Sequence, residues 1–195
     1  MPTFLKPVLV FAALLVAGVT HADIIDIDFS EYAPHTALTE VDGVTFSLIG
    51  GPDSAGAPTI SRYSGSYSGL LTNTRHAGSY PTANVLQFSF ANAVTDLSFV
   101  FNNAGYSAYG RGASFYTAFN ADGDVLETGS LSGALNSTFN VLASDVSRIA
   151  FNNNTTTSSW WFGVRSVTAT EVPAPAPLAL IALGLAGIAL RRRLG

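Results

Sequence analysis

The 195-residue chain contains no cysteine, which removes disulfide frameworks, thiol nucleophiles and thiolate metal sites together. Histidine is scarce: there are three, and neither His35 nor His76 has a partner at HExxH spacing, so a zincin site is absent. No serine sits in a nucleophile-elbow pentapeptide, because the Gly-flanked windows Gly65–Gly69 and Gly129–Gly133 carry Tyr67 and Leu131 at their centres. Charged residues make up only 11% of the chain, and basic charge is thinnest where a fold could use it. Lys6 stands near the start and Arg191, Arg192 and Arg193 near the end, leaving five arginines (62, 75, 111, 148 and 165) against all thirteen acidic residues, a central net charge of −8. Binding nucleic acid needs a basic face that releases counterions, so nucleic acid is excluded as a partner. From Asp23 to Ala169 no window sustains a 3.6-residue apolar period, which excludes a helical bundle.

Both ends are apolar for reasons unrelated to a core. Met1–Lys6 is a positively charged start, Pro7–Gly18 is an apolar run, and Thr20 and Ala22 place small residues at the offsets a signal peptidase reads. This pattern predicts a signal peptide over 1–22, handled by the Sec machinery and cut between Ala22 and Asp23. At the other end Val172-Pro173-Ala174-Pro175-Ala176-Pro177 cannot be a helix interior, because proline lacks the N–H and pins φ. Leu178–Leu190 then reads as a short apolar helix stopped by Arg191-Arg192-Arg193. At 1.5 Å per residue it reaches about 20 Å, against a hydrocarbon core of about 30 Å. An arginine cluster stays on the cytoplasmic side, which puts the preceding domain outside the inner membrane. The expected divisions are a signal peptide at 1–22, a β domain at 23–170, a Pro-rich hinge at 171–177 and a sorting helix with its arginines at 178–195.

A Val-Pro-x-Pro entry (Val172, Pro173, Ala174, Pro175), a Leu/Ala/Gly helix and a terminal arginine run (Arg191, Arg192, Arg193) resemble the PEP-CTERM sorting signal. The usual Pro-Glu-Pro is here Pro173-Ala174-Pro175. The resemblance implies an exosortase-type processing enzyme as partner, transient anchorage in the inner membrane through the C-terminal helix, and delivery to the cell surface or extracellular space. Exopolysaccharide in a biofilm matrix is the implied setting.

Between the ends the apolar spacing is two. Predicted strands are Ile24–Phe29, Val44–Leu48, Val85–Phe90, Leu97–Phe101, Ser114–Ala121, Val125–Thr128, Thr138–Leu142, Arg148–Phe151 and Trp160–Thr168. Leu86, Phe88 and Phe90, and again Leu97, Phe99 and Phe101, line single faces, as half-buried antiparallel strands do. Asp42-Gly43 and Asp122-Gly123 are the expected tight turns. The fold class is therefore all-β: an antiparallel β-sandwich, jelly-roll-like, with a barrel as the alternative, flanked by the N-terminal signal helix and the C-terminal apolar helix. Gly50–Pro81, rich in Gly, Ser, Tyr and Pro, is expected to be a long low-complexity loop. The phrases Asp28-Phe29, Asp42-Gly43-Val44-Thr45-Phe46 and Trp161-Phe162-Gly163-Val164 resemble β-sandwich ectodomains that precede PEP-CTERM tails. Arg165-Ser166 stands where such relatives place aspartates.

No catalytic residue is assigned. The candidate glycan-binding set is Tyr63, Tyr67, Tyr80, Tyr106, Tyr109 and Trp160, because sugars stack their C–H faces on aromatic rings. No cofactor is expected, although Asp23, Asp26, Asp28 and Glu31 are oxygen donors of the kind a structural calcium uses. The competing class is a carboxylate-dependent glycan hydrolase using Asp26 and Asp28; the alternative for that pair is a plain solvent-facing strand edge.

Overall fold

A computed structural model describes residues 22–51, 54, 56–77, 84–103, 114–131, 133–153 and 161–173. Asp23–Val172 forms one compact unit. The expected signal helix and the helix over 178–190 lie outside the described residues, among which no helix is long and apolar enough to cross a membrane.

The strands are β1 (Ile24–Asp28), β2 (Glu40–Val41), β3 (Val44–Ile49), β4 (Leu71–Thr72), β5 (Val85–Asn102), β6 (Ser114–Phe119), β7 (Val125–Ser130), β8 (Ser137–Asn140), β9 (Val146–Asn153) and β10 (Gly163–Glu171). Every pairing is antiparallel. The 18-residue β5 belongs to two layers. Its first half lies between β3 and β9 in a sheet ordered β2-β3-β5-β9-β6-β7, and its second half lies between β10 and β8 in a sheet ordered β1-β10-β5-β8. The predicted strands Val85–Phe90 and Leu97–Phe101 are therefore one strand that turns a corner. Sandwich strands that change sheets do so at bends and bulges. Here the pairing with β9 breaks between Ser89 and Val94, and Asp96 takes a left-handed φ of 50°. That extra residue shifts the inward phase from Leu86, Phe88, Phe90 and Val94 to Leu97, Phe99 and Phe101.

Aromatic side chains join the layers. Phe29, at the end of β1, meets Phe46 and Phe88 of the other sheet at 5.4 and 5.9 Å. Phe99 meets Phe151 at 4.9 Å and Tyr116 at 5.3 Å across the same gap. Edge-on ring pairs of this kind add about 0.5–1.5 kcal/mol each beyond area burial. At the sandwich edge the half-buried Glu127 of β7 accepts the Tyr116 hydroxyl at one oxygen and the Leu142 and Ala143 N–H groups, at 2.7 and 2.8 Å, at the other. Burial, reinforced by that carboxylate, raises the Tyr116 phenol pKa above its ordinary range.

Register assigns each segment to a pole. Ile24 faces Thr170, Glu171 faces Val94, Val44 faces Phe90, and Val172 donates its N–H to Ala93 at 2.7 Å. The N-terminus of the domain, the β5 corner and the exit toward the tail thus share one pole, the stem. Gly163 faces Asn102 and Ser114 faces Asn153, which places those strand ends at the opposite pole, the mouth.

Two further expectations change and one holds. The Asp122-Gly123 connection is a five-residue turn, Asn120–Asp124, closed by Asp124 N–H to the Asn120 side chain at 2.8 Å; β6 accordingly ends at Phe119. Asp42-Gly43, with φ of 47° and 74°, is the two-residue hairpin expected, and it adds β2. Gly50–Pro81 is not a loose loop in its described part: Pro58–Ser61 and Gly69–Thr74 are buried, and β4 pairs with β10. Tyrosines and glycines made this stretch look irregular, but threonine hydroxyls replace the missing ladder bonds. Thr59 Oγ1 donates to the Thr74 carbonyl at 2.8 Å and accepts the Ala77 N–H at 2.8 Å.

Replacing Glu127 with Ala leaves Tyr116 Oη and two backbone N–H groups without their charged acceptor. The expected loss is about 2–3 kcal/mol of unfolding free energy, read as a lower urea midpoint at unchanged slope.

Candidate functional site

The mouth is built on Trp161. The predicted strand from Trp160 begins instead at Gly163, because the preceding residues are held by a side chain rather than by a strand. Buried Asn73 accepts the Phe162 N–H at its Oδ1 (3.0 Å), and its own N–H donates to the Phe162 carbonyl (3.1 Å). Asn84 returns a bond from its Nδ2 to the Asn73 carbonyl at 3.0 Å. Gly163 is required here, since a Cβ would fall 2.7 Å from Leu70 Cβ. Trp161, only 8% exposed, is thereby fixed with Tyr63 stacked on it (5.4 Å, 10° between planes) and Tyr67 edge-on (5.7 Å, 72°). Tyr63 keeps 37% of its surface exposed, and the Arg62 guanidinium lies 5.1 Å from its ring centre while donating to its hydroxyl at 3.1 Å.

Polar groups cluster beside the rings. Arg165 is the extra residue of a β-bulge between Val164 and Ser166, where β10 changes neighbour from β4 to β1. A bulge re-aims a side chain. Arg165 donates to the Ser66 carbonyl (Nη2, 3.1 Å) and to Asn136 Oδ1 (Nε, 3.4 Å). Asn102 Nδ2 donates to the same two oxygens at 3.0 and 3.1 Å. Asn136 adopts a φ of 52°, which asparagine tolerates better than most residues. Behind this layer Asn102 Oδ1, Asn103 Nδ2 and Ser114 Oγ are buried without a partner among the described residues.

Of the sequence candidates, Tyr63 and Tyr67 are brought together here. Tyr80, Tyr106, Tyr109 and Trp160 lie outside the described residues. Sequence reasoning missed Trp161, Arg62, Ser66, Asn136 and Arg165. The pairing Trp161-Phe162-Gly163 was the available signal, since a glycine after two large rings marks close approach of another backbone. Asp26 and Asp28 face outward from β1, and Glu31 is exposed on the 3-10 turn that follows. Asp23 is exposed at the stem, its carbonyl accepting the Glu171 N–H at 2.8 Å. No group of three or more His, Asp or Glu able to hold a metal ion forms among the described residues. Asp28 serves as a cap: hydrogen bonds from Ser30, with a smaller contribution from the Arg165 charge, hold its pKa below the usual carboxylate value. An open groove of about 320 Å³ lined by Thr95–Leu97 and Asn140–Leu142 lies at the stem, away from the rings.

The fold and termini define an antiparallel β-sandwich that precedes a sorting tail. Residues 171–193 match the PEP-CTERM protein-sorting motif, a span that includes Val172, Pro173, Ala174, Pro175 and Arg191 to Arg193. The chain carries this motif, which implies export, a membrane-anchored C-terminal signal and processing by exosortase-type machinery. Ala174, Pro175 and the arginines lie outside the described residues, whereas Val172 and Pro173 leave the stem. No match is found among curated proteins. Among solved structures the chain is similar to a carbohydrate-binding module of family 29 (15% identity, 77% of this chain and 90% of that one, TM-score 0.43). It is also similar to a cleaved adhesin domain of Lys-gingipain from Porphyromonas gingivalis (15% identity, 75% and 96% covered, TM-score 0.40).

Two outcomes are expected. Trp161→Ala should cost about 3–5 kcal/mol and release Tyr63, seen as loss of protection from proteolysis at 61–69; Tyr63→Ala, at an exposed ring, should cost under about 1 kcal/mol. Because folding lowers the Asp28 pKa from near 3.8, its contribution to stability is complete above that value and is lost as pH falls through the folded value. In Asp28→Asn the acid limb of the stability profile, measured by urea denaturation below about pH 4, should flatten.

Proposed function

We propose that this exported sandwich is a non-enzymatic, cell-surface or matrix glycan-binding protein that holds sugar rings at the mouth. The carrying observation is the Trp161-braced Tyr63, an immobilised and partly exposed ring flanked by Arg62 at the pole opposite the exit to the tail, where the Ser66 carbonyl beside Tyr67 gathers Asn136 and Arg165. A pyranose presents a C–H face that stacks on such a ring and a hydroxyl rim that hydrogen-bonds to guanidinium and amide groups. Preformed rings lose little entropy on binding, so a modest contact area suffices. Arg62 lies 5.1 Å from the Tyr63 ring centre, and in the bound state it swings from the ring to the ligand's oxygens. A hydrolase needs two carboxyl groups flanking the bond to be cut. At the mouth the described carboxylates are Asp28, engaged as the cap of the 3-10 turn, and Glu31, which belongs to that same turn.

The export route proposed with this reading is Sec-dependent removal of 1–22 between Ala22 and Asp23, transient anchorage by 178–195, and exosortase-type cleavage near the hinge at 171–177, releasing the domain into exopolysaccharide. Intact-mass measurement of cell-derived protein should give a species beginning at Asp23 and lacking the residues after the hinge; a species ending at Gly195 would mark a plain tail anchor instead.

For binding, the full chain in mild detergent should be retarded in native gels cast with soluble bacterial exopolysaccharide. Tyr63→Ala should weaken retardation about tenfold in apparent affinity, the ~1.4 kcal/mol scale of one ring contact. Reducing ends released by the wild type and lost in Asp26→Asn or Asp28→Asn would replace this reading with hydrolysis.

A further inference from the structure

The antiparallel register sorts the charged side chains by pole. Asp23, Glu40, Asp42, Asp96, Asp122, Asp124, Asp145 and Glu171 all fall at or beside strand ends of the stem, where Arg148 is the one arginine among the described residues. The other described arginines, Arg62, Arg75 and Arg165, fall at the mouth. Among the described residues Asp28 and Glu31 are acidic groups on this side of β1, and Asp28 is close enough to feel the charge of Arg165. A chain whose central segment carries −8 thus concentrates cationic groups beside its exposed ring.

We infer that the ligand of the mouth is an acidic polysaccharide, one whose sugars carry carboxylates; this rests on the glycan-binding reading above. Three features carry it. Arg62 is exposed, and its hydrogen bond and ring contact among the described residues both go to Tyr63 rather than to a carboxylate, so its charge is available to a ligand. A guanidinium recognises a planar carboxylate through two parallel N–H···O bonds, a geometry that a uronate stacked on the neighbouring ring can meet. The separation of charge also gives the domain a field that draws a polyanion toward the mouth and repels it from the stem, where the tail departs. Arg165 contributes as a fixed charge, because its own bonds go to the neutral oxygens of Ser66 and Asn136.

The test uses the full chain in mild detergent against polygalacturonate, alginate and hyaluronate, each paired with its carboxyl-methylated form, so that the rings stay the same and the charge is removed. At least one acid form should bind about tenfold more tightly than its methyl ester, and that difference should shrink several-fold between about 20 mM and about 500 mM salt. Arg62→Gln, at an exposed side chain, should melt like the wild type and lose most of the preference for acid over ester forms, the remainder coming from the fixed charge of Arg165. Tyr63→Ala should weaken both forms. Equal affinity for acid and ester forms would overturn the inference while leaving the ring site standing. Polyanion binding unaffected by Tyr63→Ala would overturn it as charge attraction without a site. Retention of neither form would bring down the glycan-binding reading itself.

Discussion

The structure depends on one strand serving two sheets. β5 must present large side chains inward before and after a corner, and the corner must absorb a change of phase. Phe88 and Phe99, one on each side of it, both pack on Phe151 of β9, at 5.2 and 4.9 Å. This shared contact holds the second sheet over the first, and the positions of β8, β10 and finally β1 follow from it by pairing. Exposed Ala91 and Asn92 at the bend have no core role, so the turn buries no large side chain where the backbone leaves the first sheet.

From that corner follows the separation of the poles. Antiparallel strands return each chain end to a predictable side, which brings the entry at Asp23 and the exit at Val172 together at the stem and leaves the mouth free of both. A domain that precedes a C-terminal sorting signal thereby presents its most elaborated surface away from the point where the tail departs. The mouth is stiffened by buried polar bonds, Asn73 with Phe162 and Asn84, and Thr59 with Thr74 and Ala77, which make a rigid base out of a segment that pairs only briefly as strand.

Alternation in Leu86-Phe88-Phe90 and Leu97-Phe99-Phe101 identified the core strands because a side-chain period of two is a local property of extended backbone. The change from even to odd positions between those runs was visible as well, although not that the runs were a single strand. Asp42-Gly43 specified its hairpin, because positive φ at both residues is a local demand. The sorting tail was legible for the same reason: prolines, an apolar run and arginines act by composition and order, independent of any packing partner. Both apolar ends and the absence of thiols were equally open to direct reading.

Tertiary structure alone decided which aromatic residues form the mouth and what surrounds them. Trp160 and Trp161 are equivalent in a linear reading, and only the grip of Asn73 on Phe162, 89 residues away, makes Trp161 the brace for Tyr63. Arg165 reads as an ordinary strand residue until the bulge in β10 turns it toward Ser66, and Asn136 meets both through a turn remote in sequence. Composition stated the net charge, whereas strand register distributed it between the poles. The physical reason is the same in each case: backbone preference and periodicity act over a few residues, while hydrogen bonds between side chains and distant backbone exist only once the sheets have closed.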